Sequence, residues 1–321
     1  MEPTLPDGYG ERPLTDADLD AVVRLVDDAD RALGLDPDPI REFLTWIWHL
    51  PSTDLERDTR LVVSGTDVAC FAQGMWNPDE GGPLDALVRV HPDHVARGLG
   101  SRSLAWTEAL AAERGSEGVR MTAPDLDVPA HALLTSRGYA QVRSFLTMGK
   151  ELFPGEDAGP APAGVAIRAF EADGDEHTLH EVHESSFADH WGFRPVPYET
   201  FAGEMYEPDD WDPSLAFLAE IDGQAVGHVV ALSFEGHGYI AVVGVLPAHR
   251  GRGIAKSLLR RAFGELATRG LREVRLGVDA QNSTGAVALY EGVGMTPLRA
   301  YDTFELGTPE AEAWKDHARK D

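Results

Sequence analysis

The chain carries one pattern twice. "VRVHPDHVARGLG" at 88–100 aligns with "VGVLPAHRGRGIA" at 243–255 at an offset of 155, and "VRM" at 119–121 aligns with "VRL" at 274–276 at the same offset. Gly138 in "LLTSRGY" matches Gly294 in "LYEGVGM" at 156. One inserted residue over such a span marks a duplicated domain, since solenoid units repeat every 20–50 residues or so. The 321 residues suit two domains of about 100–200 residues each. "PGEDAGPAPAG" at 154–164 is rich in Pro, Gly and Ala and lacks periodicity, so it reads as a linker between domains at 1–153 and 165–321.

Within the second half, "VAIRAF" is a strand candidate, followed by an amphipathic helix at about 175–188 and another helix in "PYETFAGEM". "LAFLAEI" and "AVGHVVALSF" alternate across a "DGQ" turn and predict a hairpin. "YIAVVGV" is a further strand. The segment 253–269 puts Leu258, Leu259, Ala262, Phe263 and Leu266 on one helical face. "EVRLGV" (strand), "STGAVALYEGV" (short helix) and "TPLRAYDTFEL" (closing strand) complete the order. Strands alternating with helices, plus an antiparallel hairpin, predict a mixed α/β fold in each half.

A net charge of −26 excludes a nucleic-acid backbone as a general partner. No run approaches the roughly 20 apolar residues that span a bilayer, and the polar, acidic N-terminus has no signal-peptide pattern. A single cysteine, Cys70, excludes an intrachain disulfide and reads as a buried thiol. The expectation is a soluble cytoplasmic protein. No paired Cys or His-x-x-x-His spacing is present, and His177, His180 and His183 read as part of a solvated acidic helix, so no metal is expected.

Val242–Val245 form a strand end that Pro247 terminates. Arg250, Gly251, Arg252, Gly253, Ile254 and Ala255 then lead into a helix. A helix N-terminus leaves N–H groups free at the positive end of its dipole. Small residues let an anion approach them, and the arginines add charge, so the expected ligand is a pyrophosphate. A P-loop is excluded because Ala255, not glycine, precedes Lys256-Ser257. A Rossmann fingerprint is excluded because Lys256 occupies the third glycine position. Helical phase puts Lys256 on a solvated face.

The pattern Arg-x-x-Gly-x-Ala after a strand resembles the acetyl-CoA loop of the GNAT acyltransferases. "NSTGAVALYEGVGM" at 282–295 resembles that family's Asn…Ala-x-x-Leu-Tyr-Glu-x-x-Gly-Phe segment, with Met295 replacing the usual aromatic. The two-domain length and "WDPSLAFLAEIDGQAVG" at 211–227 are similar to the tandem GNAT branch of the mycothiol synthases, in which the C-terminal domain is active. The resemblance implies two tandem GNAT-like domains and transfer of acetyl from acetyl-CoA to the primary amine of a small molecule. No metal, nucleic acid or membrane partner is expected, and the chain is expected as a monomer or homodimer.

By the same resemblance, the backbone of Val243 and Val245 grips the pantetheine arm and the Val245 N–H polarises the thioester carbonyl. Residues 250–255 hold the pyrophosphate, Asn282 binds near the pantetheine, and Tyr290 protonates the departing thiolate. The glutamate expected as base falls at Tyr239, a departure that leaves Glu235, His237 and Tyr239 as candidates. His237 has the best-suited ordinary pKa, although "FEGHGY" also reads as a polar turn. His228, one strand earlier, reads as a core or surface residue or as one facing the cleft. Asp189, His190, Trp191 and Phe193 in "FADHWGFRPVPYETF" (187–201) are expected to recognise the amine, or to plug the domain hydrophobically. A protein or peptide Nα-acetyltransferase and a silent acyl-CoA-binding module remain as alternatives.

In the first half, Arg250 becomes Val95, Tyr290 becomes Leu134, Asn282 becomes Asp127 and Gly244 becomes Arg89, while Gly98 and Gly100 remain. This half is expected to be non-catalytic, with Arg89 placed to obstruct the pantetheine path; weak coenzyme binding and completion of the acceptor cleft are its alternative roles.

Overall fold

The computed structural model describes residues 4–36, 39–156, 158–206, 211–282, 284–308 and 312. It contains two compact units. The first contains strands β1 (Gly10–Arg12), β2 (Thr59–Ser64), β3 (Asp67–Met75), β4 (Leu84–Val90) and β5 (Val119–Pro124). Its helices are α1 (Leu19–Ala32), α2 (Ile40–His49), α3 (Leu55–Asp58), α4 (Leu99–Arg114) and α5 (Val128–Ser136).

The second unit, Phe145–Ala300, takes in most of β6 (Ala140–Glu151) and all of β7 (Ala166–Ala169), α6 (Ala172–Phe187) and α7 (Tyr198–Met205). β8 (Ala216–Ile221), β9 (Gln224–Ser233), β10 (Gly238–Val245), α8 (Ile254–Thr268), β11 (Glu273–Asp279) and α9 (Ala286–Glu291) follow. The last strand, β12 (Thr296–Leu306), contributes Tyr301 onward to the first unit.

The units therefore cut across the halves of the sequence. The first sheet runs β1-β2-β3-β4-β5-β12 and the second β7-β8-β9-β10-β11-β6. The same strand order recurs, yet each sheet is closed by a strand from the opposite half. Tyr301–Leu306 pair antiparallel with Val119–Pro124, and Phe145–Glu151 pair antiparallel with Glu273–Asp279. Both sheets are mixed, with one parallel pair each (β4 with β5, β10 with β11) among the described strands.

In the second unit, β9 is buried along six consecutive residues, as an apolar run covered on both faces must be. Phe217, Val229, Ile240 and Val245 pack on the buried stripe of α8, which includes Leu258, Leu259, Phe263 and Leu266. Leu218 and Val230 on the opposite face meet Leu179 of α6 and Phe201 of α7. The β8–β9 turn is Asp222-Gly223, both at positive φ (51° and 77°), the two-residue geometry that suits a twisted hairpin. The 154–164 segment runs along α8, with the Glu156 carbonyl beside Gly264 and Pro162 beside Gly253. Asp157 of this segment lies outside the described residues.

Candidate active site

β10 and β11 are paired only at Gly238–Val274 and Tyr239–Arg275. Beyond Tyr239 they part, while β11 stays paired to β6 as far as Asp279. The resulting fork opens a cavity of about 520 Å³ lined by residues 240–245 of one strand and 276–279 of the other.

A β-bulge determines which backbone groups face this opening. The β9–β10 register slips between Ile240 and Val242, leaving Ala241 as the extra residue. Past it, Leu246 N–H donates to the Val226 carbonyl at 2.9 Å. By ladder alternation, Val242 and Gly244 turn their backbone groups toward β9, and Val243 and Val245 turn theirs into the fork. Without the extra residue, Val242 and Gly244 would face it instead. The Val245 carbonyl is already taken by Arg250 Nε at 3.1 Å. Gly244 is required by packing, because a Cβ there would lie 2.2 Å from Ser186 Oγ and 2.6 Å from His228 Cε1.

At the wide end, Gly251 and Gly253 adopt left-handed φ (74° and 79°) and turn the chain into α8, whose N-terminus has no side-chain cap. Gly251, Gly253, Ile254 and Ala255 line the cavity, and the first-turn N–H groups of α8 point beyond the helix end. Arg252 is exposed, with Nη1 3.2 Å from His249 Nδ1. Lys256 also lines the cavity, where its sequence phase suggested only solvated surface. Asn282 lines the cavity as well, and its Oδ1 accepts the Thr284 N–H at 2.7 Å at the entry to α9. Ser283, in the same motif, lies outside the described residues.

Tyr290 is 8% exposed and lines the cavity. Burial, with Tyr239 nearby, pushes its phenol up to about 12, so it remains a proton donor at neutral pH. The three candidate bases fall elsewhere. Glu235 is exposed at the tip of the β9–β10 hairpin, and His237 is buried in the same turn. Tyr239 occupies the last paired position before the fork. None of the three lines the cavity.

The 187–201 segment divides in a way its sequence did not indicate. His190 and Trp191 line the cavity, together with Ser186 and Phe187 at the end of α6. Asp189 is engaged by Arg250, whose Nη2 donates to it at 2.9 Å and to the Ser186 carbonyl at 2.8 Å. That pairing holds the Asp189 carboxyl below its ordinary range. Arg250 thus ties the loop before α8 to the end of α6, and its charge is met by Asp189 before any phosphate arrives. Phe193 packs toward His183 and Phe187, at ring separations of 6.1 and 6.2 Å. Phe145 and Asp279, opposite each other on β6 and β11, also line the cavity. Sequence reasoning missed both, because nothing local marks either as polar or aromatic lining.

His228 is fully buried, with neither ring nitrogen hydrogen-bonded. Burial, with His183 5.5 Å away ring to ring, pushes it down to about 3. His183 has an unbonded Nδ1 and is pushed down to about 4, mainly by burial. Both are therefore neutral packing groups at neutral pH. His177 stacks on Tyr198 at 3.7 Å. No cluster of His, Cys, Asp or Glu able to hold a metal occurs among the described residues, and no helix among them is long and apolar enough to cross a membrane.

The corresponding fork of the first unit differs. β4 and β5 pair at three positions, Leu84–Val119 to Ala86–Met121. Arg89 then donates through Nη1 to its neighbour's carbonyl, Val88, at 2.9 Å and across the gap to the Thr122 carbonyl at 3.5 Å. Leu134 is buried.

The comparisons with known proteins agree with this geometry. Residues 178–295 match the acetyltransferase (GNAT) family. A mycothiol acetyltransferase of Thermobispora bispora is 34% identical over 88% of this chain and 94% of its own length. One from Catenulispora acidiphila is 30% identical over 93% and 98%. Among solved structures, a GCN5-related N-acetyltransferase from Sphaerobacter thermophilus superposes with a TM-score of 0.83 at 30% identity, covering 95% of this chain and all of that one. A tandem GNAT protein from the clavulanic acid biosynthesis pathway shares the fold at 16% identity, with a TM-score of 0.71 over 94% of this chain and 99% of its own. An acetyltransferase whose domain is repeated in tandem, the chain belongs to the GNAT family.

Proposed function

We propose that the second unit transfers acetyl from acetyl-CoA to the primary amine of a small molecule. The observation that carries this reading is the convergence on one cavity of the Val243 and Val245 amides, the uncapped start of α8 and the protonated Tyr290. The fork is a fitting slot for an extended, amide-bearing arm. The N–H groups of Val243 and Val245 lie where such an arm would add as a strand. The α8 N-terminus suits the pyrophosphate.

In this scheme a backbone N–H in the fork stabilises the oxygen charge that develops on the thioester carbonyl, and the Tyr290 phenol gives its proton to the departing thiolate. Relatives named mycothiol acetyltransferases favour a small acceptor over a polypeptide. Tyr239, where the mycothiol synthases are expected to carry glutamate, favours a different route for the amine proton. The test is consumption of acetyl-CoA thioester by the full chain with a panel of primary amines, repeated with Tyr290→Phe. The expected outcome is amine-dependent turnover that Tyr290→Phe lowers about 10²–10⁴-fold, with coenzyme affinity held within twofold or so. Unchanged turnover removes Tyr290 from the chemistry, and the absence of amine-dependent turnover in the native protein removes the reading.

A further inference from the structure

An ammonium acceptor must shed two of its three protons. One is returned to the departing thiolate by way of Tyr290, and the other needs an acceptor of its own. Two histidines line the cavity: one, His249, has its Nδ1 3.2 Å from Arg252 Nη1, and the other is His190. It follows α6 in the chain, with its N–H bonded to the Phe187 carbonyl at 2.8 Å and its ring edge-on to Phe187 at 4.5 Å. Asp279 lines the same cavity and is close enough to act electrostatically on His190. Phe145 faces Asp279 across the β6–β11 pair, and Trp191 lies 6.2 Å from Phe145, ring to ring. A carboxylate with aromatic faces beside it suits a cationic amine.

We propose that His190 takes the proton released by the acceptor amine, with Asp279, Phe145 and Trp191 holding that amine in the cavity. The assignment rests on the acetyl-transfer reading above. The amine nitrogen gives one proton to the neutral imidazole and forms the C–N bond. As the C–S bond breaks, the thiolate takes the Tyr290 proton, and Tyr290 is recharged by the second nitrogen proton. His190 then releases its proton to solvent, so one proton leaves per turnover.

The charged and titratable groups facing His190 are Asp189 beside it, Arg250 before α8, Asp279 on β11 and His183 on α6. Burial is the largest influence on His190 and lowers its pKa, the carboxylates opposing it and Arg250 adding to it. The ring is thus neutral, and able to accept, at neutral pH.

The test compares native protein with His190→Gln and His190→Asn, using glucosamine, an aminoacyl amide and weakly basic 2,2,2-trifluoroethylamine as acceptors. Both variants should lower kcat for the basic amines about 10²-fold and remove the acid limb of the kcat–pH profile. Coenzyme affinity should hold, and trifluoroethylamine, which arrives already neutral, should lose less than about tenfold. Native kcat and an unaltered acid limb in the variants overturn the assignment, as does an equal loss with every amine at an unaltered limb. Native protein that is inactive with every amine fails the acetyl-transfer reading, and His190 with it. Native activity with unaffected variants fails His190 alone.

Discussion

The two forks stand at matching positions of the repeat and differ most at two side chains. In each, two valine amides face the open side: Val243 and Val245 past the bulge at Ala241, and, by the same alternation, Val88 and Val90 on an unslipped ladder that continues with the His91 N–H donating to the Ala69 carbonyl at 2.9 Å. In the second unit Gly244 packs beside Ser186 and His228 and Tyr290 lines the cavity, whereas in the first Arg89 reaches across to β5 and leucine replaces the tyrosine. Yet the loop before α4 keeps the shape of its counterpart. Ala96 and Gly98 have left-handed φ of 58° and 80°, against 74° and 79° at Gly251 and Gly253. Loop shape is therefore common to both repeats. The differences that bear on a coenzyme arm and a proton donor are two single side chains, Arg89 for Gly244 and Leu134 for Tyr290.

The largest expected effect is on coenzyme uptake. Calorimetric titration of the full chain should show one equivalent of acetyl-CoA, and Arg89→Gly should add a second, weaker one. Two equivalents of similar affinity in the native protein would break the contrast between the forks.

Next is acid sensitivity. Phe71 stands opposite Arg89, whereas His228 stands opposite Gly244. His228 and His183 have folded pKa values near 3 and 4, below the unfolded value near 6.5. The unfolded chain therefore binds more protons, and stability present above about pH 6.5 is lost as pH falls toward 4. The loss by pH 5 is about 2 kcal/mol per histidine. Urea unfolding at pH 7.5 and pH 5 should show it, and His228→Phe, copying the first fork, should reduce the difference. An equal slope in the variant would mean His228 is not responsible.

The smallest effect concerns the loops. A non-glycine residue in left-handed backbone costs about 1 kcal/mol, so Ala96→Gly should stabilise and Gly251→Ala destabilise by amounts of that order. The same sign at both positions would contradict the shared loop geometry.

Much of this was legible in the sequence, for definite reasons. Helices and strands of the second unit follow their apolar periods, and the "DGQ" turn has the two positive-φ residues its letters suggest. The cofactor loop and Tyr290 stand in motifs. The bulge was hidden because "YIAVVGV" is apolar throughout, so a one-residue slip leaves no mark. The Arg250–Asp189 pair joins residues 61 apart, and a charge in a loop motif reads as a ligand until its partner is seen. Phe145 and Asp279 reach the cavity only because β6 lies beside β11, a pairing between distant segments.

The counterpart pairing, β12 on β5, has a consequence for synthesis. The edge of β5 is covered by Tyr301–Leu306, some 180 residues later in the chain. At about 5–20 residues per second on the ribosome, the nascent first sheet waits roughly 10–35 s for its final strand. Throughout that interval an unpaired β-edge is available to neighbouring nascent chains. A gene split between the two repeats would make that last pairing depend on two chains meeting, which gives the fused arrangement a reason to persist.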